Sequence, residues 1–176
     1  MFPRLALVLV LTTACPAVGS GQAIAFSQHG SVTQTVAFTQ ITIDYNRPVA
    51  RGRVLFGALV PWNEVWHPGA DSATRISFSK DVVLEGRPVA AGRYSVWIIP
   101  RPNSSWTLIL SGAADVFHTP YPGEALDAYR VEVVADQGDH LETLAWYFPV
   151  VSRDTAVLRF HWGKTRLDLR LKAPKR

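Results

Sequence analysis

Apolar and polar residues alternate with a two-residue period along most of this chain, and no stretch sustains the 3.6-residue period of an amphipathic helix. Turn-forming residues punctuate the alternation. The pattern predicts strands near 31–38, 40–45, 53–56, 73–79, 81–84, 87–90, 93–99, 105–110, 128–135, 141–150, 155–162 and 165–171, with a short helix near 112–118 or 123–128. Many short strands at this spacing predict an all-β, single-domain antiparallel β-sandwich, immunoglobulin-like or jelly-roll, with a closed β-barrel as the alternative.

Two hairpins carry the most local information. Gly163-Lys164 fits a two-residue turn of the type with glycine first. Its register sets Trp162, Phe160, Leu158 and Ala156 opposite Thr165, Leu167, Leu169 and Leu171 on one oily face. His161, Arg159 and Val157 face Arg166, Asp168 and Arg170 on the wet one. A second turn falls at Glu85-Gly86. Gly92 before a strand-opening Tyr94 resembles the tyrosine corner of immunoglobulin-like sandwiches. From Tyr94 to Ile99 both faces are largely apolar, which predicts a central strand ended by Pro100 and Pro102. Residues 57–72 and 111–125 are too rich in Gly, Pro and Asp for strands and read as long loops, which in a compact domain are often functional.

The N-terminus changes the picture. Met1–Arg4 is a short basic start, residues 5–11 are an unbroken apolar run, and small residues follow, so 1–23 reads as an export signal and 24–176 as the single domain. The apolar run is too short to span a bilayer, and nothing later resembles a membrane span. The expected location is exported: periplasmic, outer-envelope associated or secreted. Cys15, the one cysteine, is either a lipid-anchor site or part of the removed leader; in both cases the mature domain has no disulfide. The net charge of +4 is scattered rather than patched, which argues against a nucleic-acid partner.

Several motifs occur in order: Ile43-Asp44-Tyr45-Asn46-Arg47-Pro48, Gly52-Arg53-Val54-Leu55-Phe56-Gly57, Leu59-Val60-Pro61-Trp62, Val65-Trp66-His67-Pro68-Gly69-Ala70-Asp71, Ala73-Thr74, Ile76-Ser77-Phe78-Ser79, Gly86 and Ala91-Gly92-Arg93-Tyr94-Ser95. Together they resemble the exported bacterial family catalogued as domain of unknown function 2911. The resemblance covers nearly the whole mature chain and implies a secreted or periplasmic β domain with no established activity. Where that family commonly has Trp-Arg-Thr-Gly-Ala-Asn, this chain has Trp66-His67-Pro68-Gly69-Ala70-Asp71, and its 111–125 loop lacks the family's Trp-Gly step.

Aromatic faces beside amide, carboxylate and guanidinium groups suit a sugar or peptide: ring faces stack and polar groups fix orientation. Trp62, Trp66, His67, Asp71 and Arg75, with Arg47 and Arg53 shortly before them, form such a candidate site. The leading expectation is a non-catalytic extracytoplasmic ligand-binding module, its partner an unknown small molecule, glycan or peptide. A hydrolase acting on an envelope or extracellular substrate through Glu64, His67 or Asp71 is one alternative. A structural envelope protein, in which Trp62 and Trp66 plug the sandwich and the arginines pair with Glu64 or Asp71, is another. The chain has no H-x-x-H, H-E-x-x-H or G-x-S-x-G motif, and neither a cofactor nor a metal is expected.

Overall fold

The computed structural model describes residues 26–174, so the segment expected to be an export signal, 1–23, and with it Cys15, lies outside the described residues. Ten strands follow in order: β1 (Gln28–Val36), β2 (Thr39–Arg47), β3 (Arg75–Phe78), β4 (Val82–Leu84), β5 (Arg87–Val89), β6 (Gly92–Ile99), β7 (Trp106–Ser111), β8 (Asp127–Val133), β9 (Ala135–Val151) and β10 (Thr155–Lys172). A single 3-10 turn, Glu124–Leu126, precedes β8. The strands make a six-stranded antiparallel sheet in the order β1-β2-β3-β6-β7-β8 and a four-stranded one in the order β5-β4-β10-β9, a two-layer sandwich rather than a closed barrel.

Period-two alternation decides which side chains meet between the layers. Ile41, Ile43 and Tyr45 of β2, Ile76 and Phe78 of β3, and Leu108 and Leu110 of β7 point inward. They meet Leu144 and Trp146 of β9 and Leu158, Phe160 and Trp162 of β10 in one continuous core. β6 and β7 are buried on both faces, because the 111–126 loop lies over the outer side of the first sheet. Beneath it Ala73, Trp97 and Ile109 form a second small cluster with Val116 and Tyr121.

β10 folds back on itself at Gly163-Lys164. Gly163 has φ +58°, as the predicted turn requires of its first residue, and a Cβ there would meet Leu55 Cδ1 at 2.7 Å. The Arg159 guanidinium donates through Nε and Nη2 to both carboxylate oxygens of Asp168, and Ala173 N donates to Asp154 O at 2.8 Å. Such contacts are out of reach for residues strung along one straight strand. Leu158, Phe160, Trp162, Leu167, Leu169 and Leu171 are all buried, as the hairpin register demands. β9 follows this hairpin around its tip. Ala145–Tyr147 pair with 159–161, Leu141 pairs with Gly163, and Ala135–Gln137 pair with 165–167, with a register slip at each change of direction.

Other local expectations fare unevenly. The Glu85-Gly86 turn is present, with both residues at positive φ between Leu84 and Arg87. Tyr94 Oη donates to Ala90 O at 2.9 Å, a tyrosine-corner contact. Segment 53–56 is not a strand. Gly52 and Gly57 take positive φ at its ends, and Arg53 donates to Ala50 O and Val49 O, which curls the chain before it can pair.

Side chains latch both open sides of the sandwich. On one side Tyr45 and Arg47 reach from β2 to the backbone of β9; on the other Tyr129 Oη donates to Leu84 O and Arg87 Nη1 to Arg130 O. Those at β9 and at Arg130 of β8 occupy edge-strand groups that would otherwise be open to pairing with another chain. Among the described residues no helix is long and apolar enough to cross a membrane.

Candidate functional site

The 57–72 loop is held by the sheet rather than free of it. Asn63 N donates to Pro100 O, and Trp66 and Ile98 exchange two backbone bonds of 2.9 and 2.8 Å, so the loop runs along the part of β6 that β3 leaves unpaired. Pro68 O then accepts from Thr74 Oγ1 at 2.9 Å and from Trp146 Nε1 at 3.2 Å, which fixes the turn from His67 to Gly69. Residues 48–50 pair with the middle of β9 through Leu144 N to Pro48 O and Ala50 N to Glu142 O. The 111–125 loop supplies the remaining wall. Ala73 N donates to Val116 O, and His118 donates to Asp71 O from its backbone N at 3.0 Å.

These pieces enclose an open cleft of about 490 Å³. Its lining includes Arg53, Val65, Trp66, His67, Asp71, His118 and Trp162. The indoles of Trp66 and Trp162 stack at 5.9 Å with a 15° tilt, Trp162 as the buried layer and Trp66 as the half-buried one. His67 is only 4% exposed, and burial together with the neighbouring His118 pushes its pKa down to about 4, so its ring is neutral at physiological pH. Its Nδ1 and the Nε1 of Trp162 are both buried without a hydrogen-bond partner among the described residues. Unpaired buried polar atoms are rare enough to call for an explanation, such as a water, an ion or a ligand.

His118 Nδ1 lies 2.8 Å from Asp71 O. A carbonyl oxygen only accepts, so that contact places a proton on Nδ1, and in the neutral ring Nε2 is the nitrogen with the lone pair. Asp71 sits at φ +57°, a backbone region that Asp and Asn enter more readily than other residues with a Cβ.

Four of the seven candidate residues therefore meet: Arg53, Trp66, His67 and Asp71. Trp62 lies elsewhere. It packs against Phe56 and Trp106 with ring centres 6.1 and 6.2 Å apart, and its indole covers Gly57 so closely that a Cβ there would collide with it. Arg47 donates from Nε to Leu144 O, covering the β9 edge. Arg75 points to the outer face of the first sheet, where it and Arg93 share Asp115 at 2.8 and 2.9 Å. Glu64 is exposed and outside the cleft lining. Among the wall residues that the candidate set lacks are His118 and Trp162. His118 falls in the second long loop, a recognisable signal, whereas Trp162 carries only the alternation that marks it as core.

No group of three or more His, Cys, Asp or Glu side chains is placed to hold a metal among the described residues. No curated protein and no solved structure matches the chain. A family model does match, over residues 27–171, nearly all of the sandwich and the whole of the cleft's long loops. The chain belongs to the family described as protein of unknown function (DUF2911).

Proposed function

We propose that this protein is an exported, non-catalytic ligand-binding module whose pocket is the cleft walled by Arg53, Trp66, His67, Asp71, His118 and Trp162. One observation carries the reading: an open concavity of about 490 Å³ with two unpaired ring nitrogens buried in its wall. That size falls within the range of small-molecule sites, and an apolar surface with a few convergent polar groups is their usual make-up. The half-buried face of Trp66 offers a stacking platform for a sugar ring or an aromatic side chain. The Asp71 carboxylate and the bare Nε2 of His118 offer acceptors beside it.

A hydrolase has less support. Glu64 lies outside the cleft, and an imidazole held near pKa 4 is a weak general base at neutral pH. The structural role weighed for the tryptophans accounts for Trp62, which covers the core; Trp66 packs against the core as well but also lines the cleft. The N-terminal basic and apolar run supports export.

The experiment is a thermal-shift screen of the purified chain against cell-wall fragments, sugars and short peptides. A ligand of the cleft raises Tm with concentration by mass action, and Trp66→Ala abolishes the rise. A rise that survives Trp66→Ala, or no rise with any compound class, removes the reading.

A further inference from the structure

We propose that His67 and His118 together form a site for a divalent transition-metal ion of the imidazole-binding kind, Zn²⁺ or Cu²⁺, open to the cleft. The two histidines are far apart in sequence and form no ligand motif, but the fold sets their ring centres 5.5 Å apart with a 29° tilt. A metal held by two imidazoles at about 2 Å sits about 3.2 Å from each ring centre, so tetrahedral ligation sets the centres about 5.2 Å apart and linear ligation about 6.4 Å. The observed spacing falls between these two.

The chemistry of each ring agrees with that spacing. His118 is oriented through Nδ1 by a backbone carbonyl, the outer contact that metal-bound histidines usually make, and this leaves Nε2 as the ligand atom. His67 lines the same cleft with its ring beside that of His118. Asp71 lines the same cleft, but no third protein ligand is in place. The remaining positions are therefore filled by water or by the organic ligand. An open two-histidine site of this kind favours zinc and copper over magnesium or calcium, which prefer oxygen ligands.

The proposal rests on the cleft being a binding site, and its test separates the two claims. The full chain is stripped with EDTA, dialysed and titrated calorimetrically with Zn²⁺ and with Cu²⁺ at pH 7.5. The expected result is one saturable site tighter than about 100 µM, weakened at least about tenfold by His118→Ala and by His118→Gln, and unchanged by His140→Ala. Nitrogen hyperfine splitting in the Cu²⁺ EPR spectrum drops by one coordinated nitrogen in His118→Ala. His118 is the residue to vary because it sits on a half-exposed loop, whereas replacing buried His67 risks the fold. No saturable uptake of either metal overturns the proposal, as does uptake indifferent to His118→Ala. An organic ligand whose Tm shift depends on Trp66, found in a protein that takes up neither metal, sinks the metal site and leaves the cleft reading standing. Metal uptake through His118 with no organic ligand does the reverse.

Discussion

The Tyr45 hydroxyl takes the place of a neighbouring strand for Trp146: its Oη donates to Trp146 O at 3.2 Å and accepts from Trp146 N at 3.0 Å. Both residues are buried, so β9 has no water there to satisfy its backbone. Two residues along β9, Arg47 Nε donates to Leu144 O while Leu144 N donates to Pro48 O. The two side chains close the edge of the second sheet beside the cleft, which explains why Arg47 is structural although its sequence neighbourhood suggests a ligand contact.

Tyr45→Phe keeps the ring in the core and removes only the hydroxyl, stranding one donor and one acceptor. It lowers unfolding stability by about 1–3 kcal/mol in urea titration, with the m-value unchanged. A loss well below that range shows that the hydroxyl contact carries little.

The two tryptophans of the long loop both pack against the core, but only Trp66 lines the cleft. Trp62→Ala removes packing against Phe56 and Trp106 and destabilises by about 3 kcal/mol or more, while cleft affinity corrected for the folded fraction stays the same. Trp66→Ala abolishes cleft binding. Calorimetric titration of both variants with one ligand checks the contrast.

Gly163→Ala meets two obstacles at once. The residue sits at φ +58°, and its new Cβ would press on Leu55 Cδ1 at 2.7 Å. The variant loses at least about 1 kcal/mol by thermal melting. Arg75→Ala is the opposite case. The Arg75–Asp115 pair is partly solvent-exposed, so its loss changes stability by less than about 1 kcal/mol and leaves cleft binding intact.

His67 makes stability depend on pH. In metal-free protein its folded pKa of about 4 lies below the ordinary 6.5, chiefly through burial and secondarily through His118, with the Asp71 carboxylate on the same cleft. Below pH 6.5 the unfolded chain binds a proton that folded His67 refuses. The stability difference is therefore absent above pH 6.5, grows as pH falls towards 4 and levels off below. The full effect is about 3 kcal/mol. Urea midpoints of wild type and His67→Gln, measured from pH 7.5 to 4 with EDTA present, isolate it, because the lowered carboxylates Asp115, Asp136 and Glu142 titrate in both proteins.

The sandwich was readable because each strand buries one face, and alternation reports that directly. Even the Arg159–Asp168 pairing follows from the Gly163 turn by counting. The site was only half readable. Composition drew attention to 61–75, but whether an arginine reaches a ligand or a neighbouring carbonyl depends on which strand lies beside it. Arg53 lines the cleft while donating to Ala50 O and Val49 O, whereas Arg47 is taken up by Leu144 O and Arg75 by Asp115. His118 and His67 approach each other only because Ala73 and Asp71 bond to the 116–118 segment across two loops, a tertiary relation with no local pattern.

Six tryptophans give six indole N–H signals, which makes the cleft directly observable by ¹H–¹⁵N NMR. When a compound that raises Tm is added, the account predicts that the Trp66 and Trp162 indole resonances move together and saturate on one curve, while Trp62 and Trp106 stay in place. Saturable shifts confined to Trp62 and Trp106, with Trp66 and Trp162 unmoved, would contradict it.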